Sequence, residues 1–99
     1  MNTAHSIIVT KKADADELVI YQYISKTFGN VYANNFRKKL IEVFTLMAKQ
    51  PFIGRPAKQD NSIRVLMMSK QNKIIYKLTE SEIIILRILN TKAKLSGDF

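Results

Sequence analysis

Three cations recur at matching places in the second half of the chain: Arg64, Lys77 and Arg87, each inside a run of Ile, Leu, Val or Tyr. Lys92 follows the third run closely. Guanidinium and ammonium groups gathered on one face stabilise an anion, and a phosphate suits them best because it accepts several charge-assisted hydrogen bonds. Arg64, Lys77, Arg87 and Lys92 are therefore the candidates for any catalytic role. A wider ring for gripping a polyanionic partner or target adds Arg55, Lys70 and Lys73. The set is poor in groups that move protons. Arginine stays protonated to above about pH 12, lysine acts as a base only where neighbouring cations depress its pKa, and Thr79 is the one neutral polar side chain expected on the same face.

The elements that must carry these residues are three strands within residues 62–90. Each run is rich in β-branched and aromatic residues and is broken by a short polar cluster, so the strands are joined as antiparallel hairpins in a meander. With the first hairpin centred between Gln71 and Asn72, alternation places Ile63, Val65 and Met67 beside Ile74, Tyr76 and Leu78. A three-residue second loop continues that core row through Ile84, Leu86 and Ile88. The other face then holds Arg64, Lys77 and Arg87 among Leu66, Met68, Ile75, Thr79, Ile83, Ile85 and Leu89. A two-residue loop would turn Arg87 to the core, where an unpaired guanidinium is costly, and the three-residue loop is preferred for that reason.

Upstream, residues 6–10 read as a first strand that joins the same sheet and ends at Lys11 and Lys12. Residues 13–28 place Leu18, Tyr21, Ile24 and Phe28 at helical spacing, with Asp14, Asp16 and Glu17 in the first turn and Gly29 as the stop. Asn30 caps a second helix whose stripe is Ala33, Phe36, Leu40, Val43 and Met47, closed by Pro51. Arg37, Lys38 and Lys39 spread over its solvent side, and Tyr21, Tyr23 and Tyr32 read as packing residues with wet tips. Residues 52–56 form a Gly- and Pro-bearing loop into the meander, and residues 91–99 a short tail. The expected architecture is α+β, β-α-α-β-β-β, an antiparallel sheet packed against a two-helix hairpin.

The chain has 99 residues, of which 46% are hydrophobic, enough for a single domain over 1–99 with one core. It has no cysteine and one histidine, His5, so no metal site and no cofactor is expected. No apolar run nears the ~20 residues that span a bilayer, and residues 1–10 lack a signal-peptide core, so the expectation is a cytoplasmic protein without a membrane partner. Sixteen Lys and Arg against eight Asp and Glu give a net charge of +8, and ten of the cations lie from Lys49 onward. That balance favours nucleic acid or an acidic protein as partner.

Several stretches together resemble the RelE/ParE superfamily, the toxins of type II toxin–antitoxin systems, also called plasmid stabilisation proteins. They are Ala15-Asp16-Glu17-Leu18 leading to Tyr23-Ile24, Phe28-Gly29, the loop Gln50-Pro51-Phe52-Ile53-Gly54-Arg55-Pro56, Ile63-Arg64, Ile74-Ile75-Tyr76, and the run from Ile83 to Leu89. The resemblance implies a toxin neutralised by a cognate acidic antitoxin. It also implies one of two routes to growth inhibition: cleavage of mRNA on the ribosome, without metal, or poisoning of DNA gyrase. In the cleaving branch, Arg64 matches the arginine that faces the scissile phosphate. Many relatives follow the last strand with His or Asp and then Arg, whereas this chain has Asn90-Thr91-Lys92-Ala93. No Tyr or His stands in the tail where the nucleases carry one, and the long helical hairpin is like that of the gyrase-poisoning branch. The expectation is therefore a ParE-like gyrase inhibitor that is not an enzyme. The alternatives are a ribosome-dependent mRNA endonuclease, or a degenerate, non-toxic member that binds nucleic acid.

Overall fold

The computed structural model describes residues 4–94. The elements run β1 (Ser6–Val9), α1 (Lys11–Phe28), α2 (Asn30–Lys49), β2 (Arg55–Pro56), β3 (Ile63–Met67), β4 (Asn72–Leu78) and β5 (Glu82–Asn90). They form one five-stranded sheet in the order β1-β5-β4-β3-β2, with α1 and α2 as a hairpin against it. The sheet is mixed rather than purely antiparallel, because β1 pairs parallel with β5 while the other three pairings are antiparallel. β2 is a two-residue strand that the expected order lacks. Of the tail expected over 91–99, residues 95–99 lie outside the described residues. Among the described residues no helix is long and apolar enough to cross a membrane.

Lys11 and Lys12 open α1 instead of ending β1. The reason is Thr10, whose hydroxyl oxygen accepts from the Ala13 N–H at 3.2 Å and so satisfies one free donor of the first turn. The same hydroxyl donates to the Ile85 carbonyl at 2.8 Å, tying the helix start to β5. Gly29 ends α1 and precedes α2 at φ 101°, a conformation that only glycine adopts without strain. Asn30 is thus the first residue of α2, not its cap.

On α2 the stripe Ala33, Phe36, Leu40, Val43 and Met47 is buried as its spacing predicts. Its Phe36, Leu40, Val43 and Met47 join Ile74, Tyr76, Ile83, Ile85 and Ile88 in the main core, where each fully buried large side chain contributes about 1.5–3 kcal/mol. On α1 the inward face is Ala13, Ile20 and Ile24, whereas Leu18 and Phe28 are exposed. The expected stripe of Leu18, Tyr21, Ile24 and Phe28 is therefore rotated.

The sheet corrects the expected register. The β3–β4 hairpin pairs Met67 with Lys73 and centres on Lys70, which changes the parity of every pair. Arg64, Leu66 and Met68 consequently lie on the side of Ile74, Tyr76 and Leu78, toward the helices, and Ile63 and Val65 pack with Ile75 on the other face. The second loop has two residues, Glu80 and Ser81, closed by the Thr79 N–H donating to the Glu82 carbonyl at 3.0 Å. A bulge follows: Ile75 pairs with Arg87 and Tyr76 with Ile85, leaving Leu86 unpaired. Parity is restored beyond it, so Ile88 points to the core with Ile74.

Candidate functional site

Arg64 and Tyr76 are neighbours across β3 and β4 on the helix-facing side. Both reach the loop after α2. The Tyr76 hydroxyl donates to the Pro51 carbonyl at 2.8 Å and accepts from the Gly54 N–H at 2.9 Å. Arg64 Nη1 donates to the carbonyls of Phe52 at 3.2 Å and Gly54 at 2.5 Å, and its guanidinium lies 4.8 Å from the centroid of the Phe52 ring. Four hydrogen bonds from two sheet residues thus fix residues 51–54. Gly54 is required there by proximity, since a Cβ would stand 2.7 Å from the Tyr76 hydroxyl.

The other sequence-predicted cations do not converge. Lys73 is buried, with its ammonium group donating to the carbonyls of Thr91 and Ala93, so it anchors the segment after β5. Arg87 forms a two-pronged pair with Asp16 of α1, Nε to Oδ2 at 2.7 Å and Nη2 to Oδ1 at 2.9 Å. Asp16 Oδ2 also accepts from the Ile88 N–H at 3.0 Å, which closes α1 over the bulge. The objection to an inward Arg87 disappears once this carboxylate is in place, and the hydrogen bond to Asp16 raises the Arg87 pKa. Arg55, Lys70, Lys77 and Lys92 are exposed. Lys77 stands near Asp60, whose carboxyl is held below its usual value first by the Ser62 hydroxyl and N–H and then by the Lys77 charge. Thr79 is engaged in its own turn, and its carbonyl accepts from His5 Nε2 at 3.2 Å.

The expected cationic face is therefore divided into structural and free groups. Arg64, Lys73 and Arg87 have internal partners, and Arg55, Lys70, Lys77 and Lys92 are spread over the rim.

Tyr76 is the remaining titratable group at the centre. Burial raises its phenol pKa above the ordinary value, against smaller lowering effects from the Gly54 N–H and Arg64. The neutral phenol is thus favoured in the folded state. Its contribution to stability is complete below about pH 10, where an unfolded tyrosine is also neutral, and is lost as pH rises further. Thermal unfolding from pH 7 to 11 should show a steeper alkaline loss for the unsubstituted chain than for Tyr76→Phe. Parallel curves would remove Tyr76 from this account.

A second feature has no counterpart in the sequence reading. Tyr23, Phe28 and Tyr32 form an edge-to-face aromatic cluster at the tip of the helical hairpin, with ring centroids 6.4 and 6.3 Å apart. Tyr23 and Tyr32 are 62% and 63% exposed, so these rings cover a surface instead of filling the core. Together with Val19, Met68 and Asn72 they line a groove of roughly 780 Å³ between the hairpin tip and the β3–β4 turn, with Lys39 on its margin. Tyr21 differs: its hydroxyl donates to Asn34 at 3.0 Å and Arg37, paired with Glu17, lies over its ring at 3.6 Å. The signal in the sequence was surplus. α1 carries more large apolar residues than one buried stripe can use, and Val19, Tyr23 and Phe28 are the excess.

Comparison with known proteins agrees with this architecture. The chain is similar to a solved structure of the chromosomal ParDE toxin–antitoxin system from P. aeruginosa, with a TM-score of 0.76 and 24% identity over 90% of this chain and 98% of that one. It has the same fold as the YoeB dimer from Staphylococcus aureus, with a TM-score of 0.61 and 14% identity over 85% and 93% of the two chains. The E. coli DinJ–YafQ toxin–antitoxin complex gives a TM-score of 0.61 and 16% identity over 88% and 92%. No curated protein matches the sequence significantly. The family model described as the ParE toxin of type II toxin–antitoxin systems, parDE, matches residues 7–95, nearly the whole length of this fold. The chain belongs to the ParE toxin family of type II toxin–antitoxin systems.

Proposed function

We propose that the chain, acting as one unit over residues 1–99, inhibits growth by disabling DNA gyrase and is held inactive by an acidic antitoxin. The observation that carries the choice of gyrase over mRNA is the internal pairing of Arg64, Lys73 and Arg87. A metal-independent ribonuclease needs cations aimed at one phosphate and groups that pass protons to and from the ribose. Here Arg64 is turned to loop carbonyls and Tyr76 is buried with its pKa raised. Lys73 and Arg87 are likewise held by internal partners, and the free cations Arg55, Lys70, Lys77 and Lys92 are spread over the rim.

Neutralisation follows from charge and from the groove. A +8 protein attracts an acidic segment over distance, and an apolar groove with aromatic walls binds the hydrophobic side of that segment. The solved ParDE and DinJ–YafQ structures are of toxin–antitoxin systems of this fold, which supports an antitoxin as the occupant.

Inducing the chain alone should arrest growth with an SOS response and intact transcripts, and co-expression of the antitoxin should relieve the arrest. Codon-phased cleavage of mRNA would show the nuclease reading to be right. Colonies that form normally from cells holding soluble, folded protein would remove the toxin reading.

A further inference from the structure

Phe52 is 70% exposed and Ile53 37% exposed, yet the backbone around them is tied by hydrogen bonds from Arg64 and Tyr76 to Pro51, Phe52 and Gly54 and by the Ile53 N–H to the Gln50 carbonyl. Two sheet residues, one of them fully buried, are committed to a loop whose outward side chains touch solvent. Fixing a loop in this way lowers the entropic cost of a later contact, because the chain is ordered before its partner arrives. An exposed aromatic and an exposed aliphatic side chain on such a loop have the form of an interface anchor. The surroundings define the complementary surface. Between Lys49 and Gln59 the sequence has Lys49, Arg55 and Lys58 and no acidic residue, and all three cations are exposed.

We propose that Phe52 and Ile53 anchor a second protein, in an apolar recess bordered by acidic side chains, and that this protein is the target and not the antitoxin. The proposal rests on the toxin reading above. Protein is favoured over RNA because one side of the Phe52 ring is already taken by the Arg64 guanidinium, and Ile53 has no face on which a base can stack. Target is favoured over antitoxin by position. The loop follows the C-terminal end of α2, while the aromatic groove runs along the N-terminal half of that helix as far as Lys39, so the last ten residues of α2, about 15 Å of helix, lie between them.

The test uses the full chain with Phe52→Ser and, separately, Arg55→Glu. Three quantities are read: growth arrest on induction, inhibition of purified DNA gyrase in a supercoiling assay, and the thermal midpoint. Phe52→Ser should require roughly 30-fold more protein for the same gyrase inhibition, the size typical of an interface hot spot, with the midpoint unchanged. Arg55→Glu should weaken inhibition and flatten its salt dependence, and it keeps the test decisive if Phe52→Ser lowers the midpoint. If the unsubstituted chain inhibits gyrase and both variants match it, the anchor is wrong and the function stands. If it arrests growth without affecting gyrase, the gyrase reading fails and the anchor is judged on the arrest itself. Loss of arrest in the variants with transcripts intact then supports the anchor. Unaltered arrest, or transcript cutting that the variants abolish, overturns it. Variants that lose relief by the antitoxin while still arresting growth assign the loop to the antitoxin and overturn the proposal. No arrest by the unsubstituted chain overturns both readings.

Discussion

Replacing Asp16 with alanine should lower stability by about 3 kcal/mol, a large share of the 5–15 kcal/mol that holds a typical protein folded. Asp16 accepts three hydrogen bonds, two from Arg87 and one from the Ile88 N–H. Hydrogen bonds to charged groups are worth about 1.5–3 kcal/mol each. The sum is discounted because the Arg87 side chain is 28% exposed and water screens the pair. For a chain of this size, ~3 kcal/mol shifts the thermal midpoint by about 10–20 °C. The damage comes mainly from the guanidinium left unpaired under α1, so replacing both partners, as in Asp16→Leu with Arg87→Leu, should recover much of the loss. The Arg37–Glu17 pair is the control: Arg37 is 43% exposed and screened by water, so Glu17→Ala should cost far less than Asp16→Ala. Equal losses for Asp16→Ala and Glu17→Ala would contradict this ranking.

Gly54→Ala should be nearly as severe, for a steric reason. The new methyl would meet the Tyr76 hydroxyl at 2.7 Å and ring carbon Cε1 at 2.8 Å, and Tyr76 is wholly buried and cannot swing aside. Crowding a packed site costs about 1–3 kcal/mol. Displacing the hydroxyl also strands the Gly54 N–H and the Pro51 carbonyl, at about 1–3 kcal/mol for each group left unsatisfied. Denaturant unfolding should show a loss of about 3 kcal/mol. Combined with Tyr76→Phe, the loss should be smaller than the two single losses added, because both act on the same contacts. Additive losses, or a Gly54→Ala chain within 0.5 kcal/mol of the parent, would refute the lock.

The parts of this fold that were legible in the sequence are those governed by local spacing. The stripe on α2 was readable because Ala33 to Met47 repeats at three and four, and nothing else can bury those residues together. The three strands of the meander were readable from composition. Register was not, because alternation fixes which residues share a face within a strand but not which strand face meets the next. A turn centred on Lys70 instead of one residue or so later moved Arg64 beside Tyr76 and beneath the loop. Arg87 was misplaced for a related reason: its burial looked costly because its partner lies 71 residues away on α1. β2 was too short to signal itself, and its two residues, Arg55 and Pro56, follow Gly54 in a stretch that reads as a loop. The groove is not legible because Tyr23 and Tyr32 read as packing residues with wet tips, and only tertiary structure shows that α1 turns Ile20 inward beside Ile24 and leaves Leu18 and Phe28 exposed.

The parallel pairing of β1 with β5 has a bearing on how each copy comes into being. Thr10 and its partner Ile85 are 75 residues apart in the chain. Loops of that length close late, after local hairpins have formed. During synthesis the delay is enforced, because β1 is made some 75 residues before the part of β5 that it pairs with. At about 5–20 residues per second, roughly 4–15 s pass between the two. Throughout that interval Ile7, Ile8 and Val9 have no strand beside them and Thr10 has no Ile85 carbonyl to hold. A growing chain therefore has an incomplete sheet until β5 has been made, and each copy meets the cell first in that open form.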